Sequence, residues 1–315
     1  MERLVTGLHH LTATVTNAQA DLDHYTGLFG LRLVKKTVNF DNHDVYHFYY
    51  GNATGAPGTI MTTFPYEGWG VREGVRGVGQ ITVTSFSVPE SSIPFWHARL
   101  NAAGVGAAGT RTPFGEEALE LDDPSGLHLR LVGTKQDARE PWTTSDIDAT
   151  RAIRGLHTVS LLVREPEKSV AFLTDVLGLE QIGRAGDHVR MGAGSGDTGR
   201  ILEIVRAPAD APSAVNGLGT VHHVALAIPD GEQQRALRDE LVRLGVGVTD
   251  IRDRQYFTSI YFREPGGVLY EVATQGPGFT IDESADALGQ ALRLPPWEEP
   301  HRASIEANLP DVRHP

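Results

Sequence analysis

The sequence predicts an α+β fold of four βαβββ modules arranged as two domains, because one unit recurs along the chain. Its opening appears as GLHHLTATV from Gly7, GVGQITVTS from Gly77, GLHTVSLLV from Gly155 and GTVHHVALAI from Gly219. Each opening is a glycine followed by apolar or β-branched residues, the pattern of a short strand. Its ending also recurs: a turn such as DDPSG at Asp122 or REPGG at Arg263, then a closing strand such as LHLRLVG, RILEIVRA or VLYEVATQ.

Helices fall between these marks. DLDHYTGLFG, SVAFLTDVLG and EQQRALRDELVRLG each end in Gly, as a helix stop does, and IPFWHARLNAAG is a less regular version. The polar, aperiodic stretch TKQDAREPWTTSDIDATRA at 134–152 reads as a linker between a first domain at 1–133 and a second at 153–275. Residues 276–315 carry two short amphipathic patterns broken by Pro, DESADALGQALRLPP and WEEPHRASIEANLP, and read as a helical tail packed across the body.

Composition narrows the function classes. The chain has 315 residues, enough for two cores, and a net charge of −12 that disfavours nucleic acid and anionic membranes as partners. It contains no Cys, so disulfides, thiolate nucleophiles and zinc–cysteine sites are excluded, and a metal must be held by His, Asp or Glu. The start MERLVTGLHH has neither the basic stretch nor the apolar run of a signal peptide, so the cytoplasm is the expected location. Self-association into a homo-oligomer is compatible with the composition.

Thirteen His are present, and position in the repeat singles out a few. Aligning the openings puts His10, Gln80, Thr158 and His223 at one strand position; aligning the closing strands puts Thr62, Arg130, Glu203 and Glu271 at another. If the first and fourth units pack together, and the second with the third, then His10, His223 and Glu271 converge, with Thr62 completing the ring as a non-ligand. Two His and one carboxylate leave half an octahedron open, which suits iron(II), with manganese(II) fitting nearly as well. The other half should be metal-free, its positions Gln80, Arg130, Thr158 and Glu203 reading as a structural core or an Arg130–Glu203 pair. A rival set takes His157 in place of His10. His157 aligns with His9 and His222, however, and a one-residue offset turns a strand side chain to the other face, which favours His10.

The other His read as structural. His43, His47 and His128 fit hydrogen-bonded positions, with His47 also able to line a pocket, and His24, His97, His188, His301 and His314 have no evident partner. The Gly-rich run GAGSGDTG at 192–199 reads as a hairpin loop, not a phosphate cradle, and no G-x-S-x-G elbow exists.

The segment YFREPGGVLYE at Tyr261 resembles the signature of extradiol ring-cleaving dioxygenases, ending in the metal-binding Glu. Catechol-cleaving members carry a His a few residues ahead of the Tyr, where this chain has Arg254. With LFGLRLVKKTVNFDN, YHFYYGN, GAPGTIMTTFP, HHVALAI and LPPWEEPHRASIEANLP, nearly the whole chain resembles the hydroquinone and chlorohydroquinone dioxygenase branch of the vicinal oxygen chelate superfamily. That resemblance implies two vicinal-oxygen-chelate domains, ligands His10, His223 and Glu271 for iron(II), and His9, His222, Arg254 and Tyr261 acting on a small aromatic substrate and O2. Two other readings stay open. One is a glyoxalase-like lyase or isomerase, which usually has a fourth protein ligand. The other is a metal-free, drug-sequestering binding protein.

Overall fold

The computed structural model describes residues 4–194 and 196–313. The first unit is β1 (Gly7–Val15), α1 (Ala18–Leu22), β2 (Arg32–Asn39), β3 (Asn42–Gly51) and β4 (Ile60–Pro65). The second is β5 (Gln80–Pro89), α2 (Ile93–Ala102), β6 (Ala108–Arg111), β7 (Glu117–Asp122) and β8 (His128–Thr134). The third is β9 (Gly155–Val163), α3 (Pro166–Asp175), β10 (Glu180–Ala185), β11 (His188–Gly192) and β12 (Ile201–Arg206). The fourth is β13 (Thr220–Ile228), α4 (Gly231–Arg243), β14 (Arg252–Asp253), β15 (Phe257–Arg263) and β16 (Leu269–Pro277). The βαβββ order thus repeats four times.

The strands form two curled eight-stranded sheets, ordered β14-β15-β16-β13-β1-β4-β3-β2 and β10-β11-β12-β9-β5-β8-β7-β6. Units one and four share the first sheet through antiparallel β1 and β13, and units two and three share the second through β5 and β9. Each sheet therefore draws one unit from each half of the chain. Helices cover the sheets by burying one apolar stripe each, such as Trp96 and Leu100 of α2 or Leu237 and Leu241 of α4.

Four bulges set the geometry that matters. In the β1–β13 ladder, Leu8 faces Leu226 and His10 faces Ala225, so His9 is the extra residue; Thr12 faces His223 and Ala13 faces Val221, so His222 is extra. The β5–β9 ladder repeats this at Thr82 and His157. A bulge lets two consecutive side chains stand on one side of the sheet, which strict alternation forbids.

Two sequence expectations are corrected here. The second opening begins at Gly79, not Gly77: Gly79 has φ +86°, like Gly219 at +74°. With the bulges aligned, Val83, not Gln80, occupies the place of His223. In the tail, DESADALGQALRLPP forms no α-helix but a short turn at Ala285–Ala287. Gly289 explains the break, since it adopts φ +77° and a Cβ there would stand 1.9 Å from the Leu33 carbonyl oxygen.

Residues of the tail lie against the first sheet. Phe279 packs on Tyr49 and Tyr256, and the fully buried Lys35 ammonium holds Asp282 at 2.6 Å and also bonds Glu283. The second tail pattern gives the short helix α5 (Arg302–Asn308), which buries Ile305. The strands on either side of the glycine-rich run, β11 and β12, pair antiparallel, and residue 195 within the run lies outside the described residues. Among the described residues no helix is long and apolar enough to cross a membrane.

Candidate metal centre

His10 on β1, His223 on β13 and Glu271 on β16 meet on the first sheet because β13 is hydrogen-bonded to both other strands. Glu271 Oε2 lies 3.3 Å from His10 Nε2 and 2.8 Å from His223 Nε2, and the two Nε2 atoms are 3.4 Å apart. All three side chains are buried, with at most 5% of any residue exposed. Donor atoms that share one ion at about 2.1 Å and at right angles stand about 3 Å apart. The set therefore fits a single divalent ion, and it is the only such group of three among the described residues.

The bulges aim the candidate ligands. His9 Nδ1 sits 2.9 Å from His10 Nδ1, and His222 Nδ1 sits 2.7 Å from His223 Nδ1. A His that binds metal through Nε2 carries its proton on Nδ1 and donates it outward, so with a metal held there His9 and His222 would be the acceptors that fix ring and tautomer. Acceptance requires them to be neutral. Burial, aided by the charge of the adjacent ligand, holds His9 and His222 each down to about 3. Burial also lowers His223.

Glu271 shows the opposite balance. Burial pushes its carboxyl up, but His10 and His223 outweigh this and hold it well below the usual carboxylate range. Ser259 donates to Glu271 Oε1, leaving Oε2 for the shared centre. Ser259 was not singled out in the sequence, although it precedes Tyr261 by two and so shares its face of β15.

Above the three ligands lies a cavity of about 390 Å³ whose wall includes Thr12, His47, Tyr49, Phe64, His222, Arg254 and Tyr261. Arg254 Nε donates to the Tyr261 hydroxyl at 3.0 Å, and its Nη2 donates to Asp41 at 3.0 Å. Burial alone would lower the Arg254 guanidinium, but Tyr261 and Asp41 override it and hold it above its ordinary value. Burial, with Glu271 nearby, raises the Tyr261 phenol, so it keeps its proton and, having accepted from Arg254, has that proton left to donate. His9 is the exception among the predicted residues. It lies behind His10 against Phe257, ring centroids 4.9 Å apart, and does not line the cavity.

Other placements separate from this centre. Thr62 occupies the fourth place of the ring, where its hydroxyl donates to Thr12 at 2.8 Å and meets His47 Nε2 at 2.9 Å. His157 lies on the second sheet with Nε2 3.3 Å from Glu116. The expected Arg130–Glu203 pair does not form, because β8 and β12 are separated by β5 and β9. Arg130 pairs with Glu120 at 2.6 Å on the neighbouring strand. Glu203 pairs with Arg190 at 3.3 Å and with His188 at 2.9 Å, so His188 does have a partner. His43 and His128 hydrogen-bond Glu298 and Asp122, and His314 lies outside the described residues.

Known proteins resemble this chain in sequence and fold. The family model described as Glyoxalase/Bleomycin resistance protein/Dioxygenase superfamily matches residues 7–131 and 155–272. MhqO of Bacillus subtilis (strain 168), named as a ring-cleaving dioxygenase, is 42% identical over 98% of this chain and 97% of its own length. A chlorohydroquinone/hydroquinone 1,2-dioxygenase of Sphingobium indicum is 36% identical over 94% of this chain and 93% of its own. The crystal structure of a Bacillus subtilis protein described as a dioxygenase superposes with TM-score 0.94 at 42% identity, covering 99% of each chain. Glyoxalase I from Zea mays shares the fold alone, with TM-score 0.63 at 17% identity, covering 85% of this chain and 92% of that one. The chain belongs to the glyoxalase/bleomycin resistance protein/dioxygenase superfamily.

Proposed function

We propose that this protein is a non-haem iron(II)-dependent, extradiol-type ring-cleaving dioxygenase that acts on hydroquinone-type aromatic diols with O2. The observation that carries the reading is the buried His10–His223–Glu271 cluster opening onto an aromatic-walled cavity. When bound there, iron(II) supplies open coordination positions and a route for electrons between an aromatic diol and dioxygen. Manganese(II) fits the same donors.

The chain's own groups divide the remaining work. Ser259 and the pair His9 and His222 hold the three ligands in orientation. Tyr261 keeps its proton and donates a hydrogen bond to the ring oxygen as that oxygen gains negative charge. Arg254, permanently charged and tied between Tyr261 and Asp41, stabilises that charge from a fixed position. The aromatic wall of Phe40, Tyr49, Phe64, Phe257 and Tyr261 excludes water and accepts a flat ring. A glyoxalase-like reading calls for a fourth protein ligand, and Thr62 in that place is already bonded to Thr12 and His47.

The test is anaerobic purification with metal analysis, then oxygen uptake with hydroquinone, methylhydroquinone and catechol. The reading predicts bound iron and uptake that follows the hydroquinones, with catechol much slower. Bound metal with no oxygen uptake on any of the three would refute it.

A further inference from the structure

The proposed chemistry assigns one ring hydroxyl of a hydroquinone to the metal side and leaves the other, across the ring, without a partner. His47 on β3 has the features of that partner. Its ring is held between Tyr49 and Phe64, with centroids 4.1 and 4.3 Å away, and all three side chains line the cavity above the ligands. Only 9% of the residue is exposed.

Its proton can be located by following one hydrogen-bond chain. The Thr62 hydroxyl has a single proton and donates it to Thr12 Oγ1 at 2.8 Å. Thr62 must therefore accept at its other contact, so His47 Nε2, 2.9 Å away, is the protonated nitrogen. Burial is the largest cause holding His47 well below its ordinary value, so the ring is neutral. The other nitrogen, Nδ1, then carries a lone pair. No hydrogen bond engages it among the described residues, and it is not one of the fully enclosed atoms left without a partner. An acceptor that is neither satisfied nor sealed in, on a ring lining a cavity, faces the cavity.

We propose that His47 Nδ1 accepts a hydrogen bond from the substrate hydroxyl that lies away from the metal, so that an O–H across the ring is a condition of tight binding. The assignment rests on the dioxygenase reading and deepens it to a substrate requirement: a 1,4-diol, with a donor at the second oxygen. Thr12, accepting from Thr62, keeps its own proton for the cavity, so the wall offers a donor and an acceptor side by side. Etherifying the distal oxygen removes its proton and leaves the His47 lone pair facing oxygen lone pairs.

The test compares hydroquinone with 4-methoxyphenol, which keeps one free hydroxyl and the ring but has no distal donor. Dissociation constants are measured by calorimetry on the anaerobic iron(II)-loaded protein. The parent should prefer hydroquinone by about tenfold. His47→Asn, whose carboxamide oxygen can occupy the Nδ1 place, should keep the preference. His47→Gln, whose amide reaches towards Thr62 but puts no acceptor at the Nδ1 place, should reduce it to about twofold or less. Equal affinity of the parent for both phenols overturns the proposal whether or not either variant folds, and so does an undiminished preference in His47→Gln. Oxygen uptake with hydroquinone in the same preparations separates the two failures: with uptake present, only the His47 assignment falls, and with no uptake and no binding the dioxygenase reading falls with it.

Discussion

In the first sheet the bulged strands carry His10 and His223 opposite Glu271; with β5 matched to β1 and β9 to β13, the equivalent places of the second sheet hold Val83, Thr158 and Glu203. The bulges themselves persist in both, at His9 and His222 and again at Thr82 and His157. The backbone scaffold for a metal site was thus duplicated, and the side chains decide which copy can use it. The second cup keeps its carboxylate, but Arg190 supplies a fixed cation 3.3 Å from Glu203 and 2.9 Å from Glu116, over the face of Phe114 at 3.9 Å. A permanent side-chain charge there compensates buried carboxylates, as an exchangeable ion held by the first cup would compensate Glu271.

The largest expected effect tests what the first cup adds to its ligands. Arg254→Met should keep iron and lower hydroquinone turnover by about 10²–10³-fold, because a preorganised donor at a site of developing charge is worth on the order of 3–4 kcal/mol. Tyr261→Phe should cost less, since it removes only a hydroxyl. Turnover at the parent rate in Arg254→Met, with full iron occupancy, would show that Arg254 only ties its strand to Asp41.

In the second cup the same kind of change should act on stability instead. Arg190→Met leaves Glu203, 1% exposed, without its cation, and removing one partner of a buried pair costs about 3 kcal/mol. Denaturant unfolding should show that loss while iron content and turnover stay at parent values. A variant as stable as the parent would mean the cation is not needed there.

A smaller effect comes from the junction between the first two units, where buried acids behave unlike those of the cups. Burial raises Asp21 from 3.8 to about 7 and Asp123 from 3.8 to about 6, whereas Glu271 and Glu116 are held low by their cationic and His partners. Asp21 accepts from Tyr50 at 2.6 Å and from Thr63 at 2.5 Å. Between pH 4 and 7 the unfolded chain releases the Asp21 proton while the folded chain keeps it, so stability falls as pH rises through that window. From pH 5 to 7 the Asp21 contribution is about 2 kcal/mol. Asp21→Asn, which stays neutral, should lose that much less stability over the same interval; an unchanged pH slope would place the ionised form in the fold.

Much of this was legible in the sequence, and the misses have local causes. The turn glycines aligned all four closing strands correctly, because Ala225–Glu271, Thr12–Thr62, Ser160–Glu203 and Ser85–Arg130 are equivalent parallel pairs. The second opening slipped by three: two residues because Gly77 and Gly79 look alike until one of them is seen at positive φ, and one because the second opening shares the longer lead-in of the fourth. Strict alternation sends His9 and His222 to the opposite face, and only the bulges, which leave no clear mark in composition, bring them beside the ligands. Arg190 and Asp41 belong to middle strands and turns, where opening and closing registers say nothing about which units meet.

The central claim, that one cup holds the metal and the other is closed by protein charge, is tested most directly by iron content in anaerobically purified parent, His10→Ala and His157→Ala. Two ligands are too few to retain a labile divalent ion, so His10→Ala should lose the iron that the parent carries, and His157→Ala, whose imidazole meets Glu116 in the other cup, should keep it in full. Iron retained in His10→Ala and lost in His157→Ala would move the site to the second sheet and contradict the account.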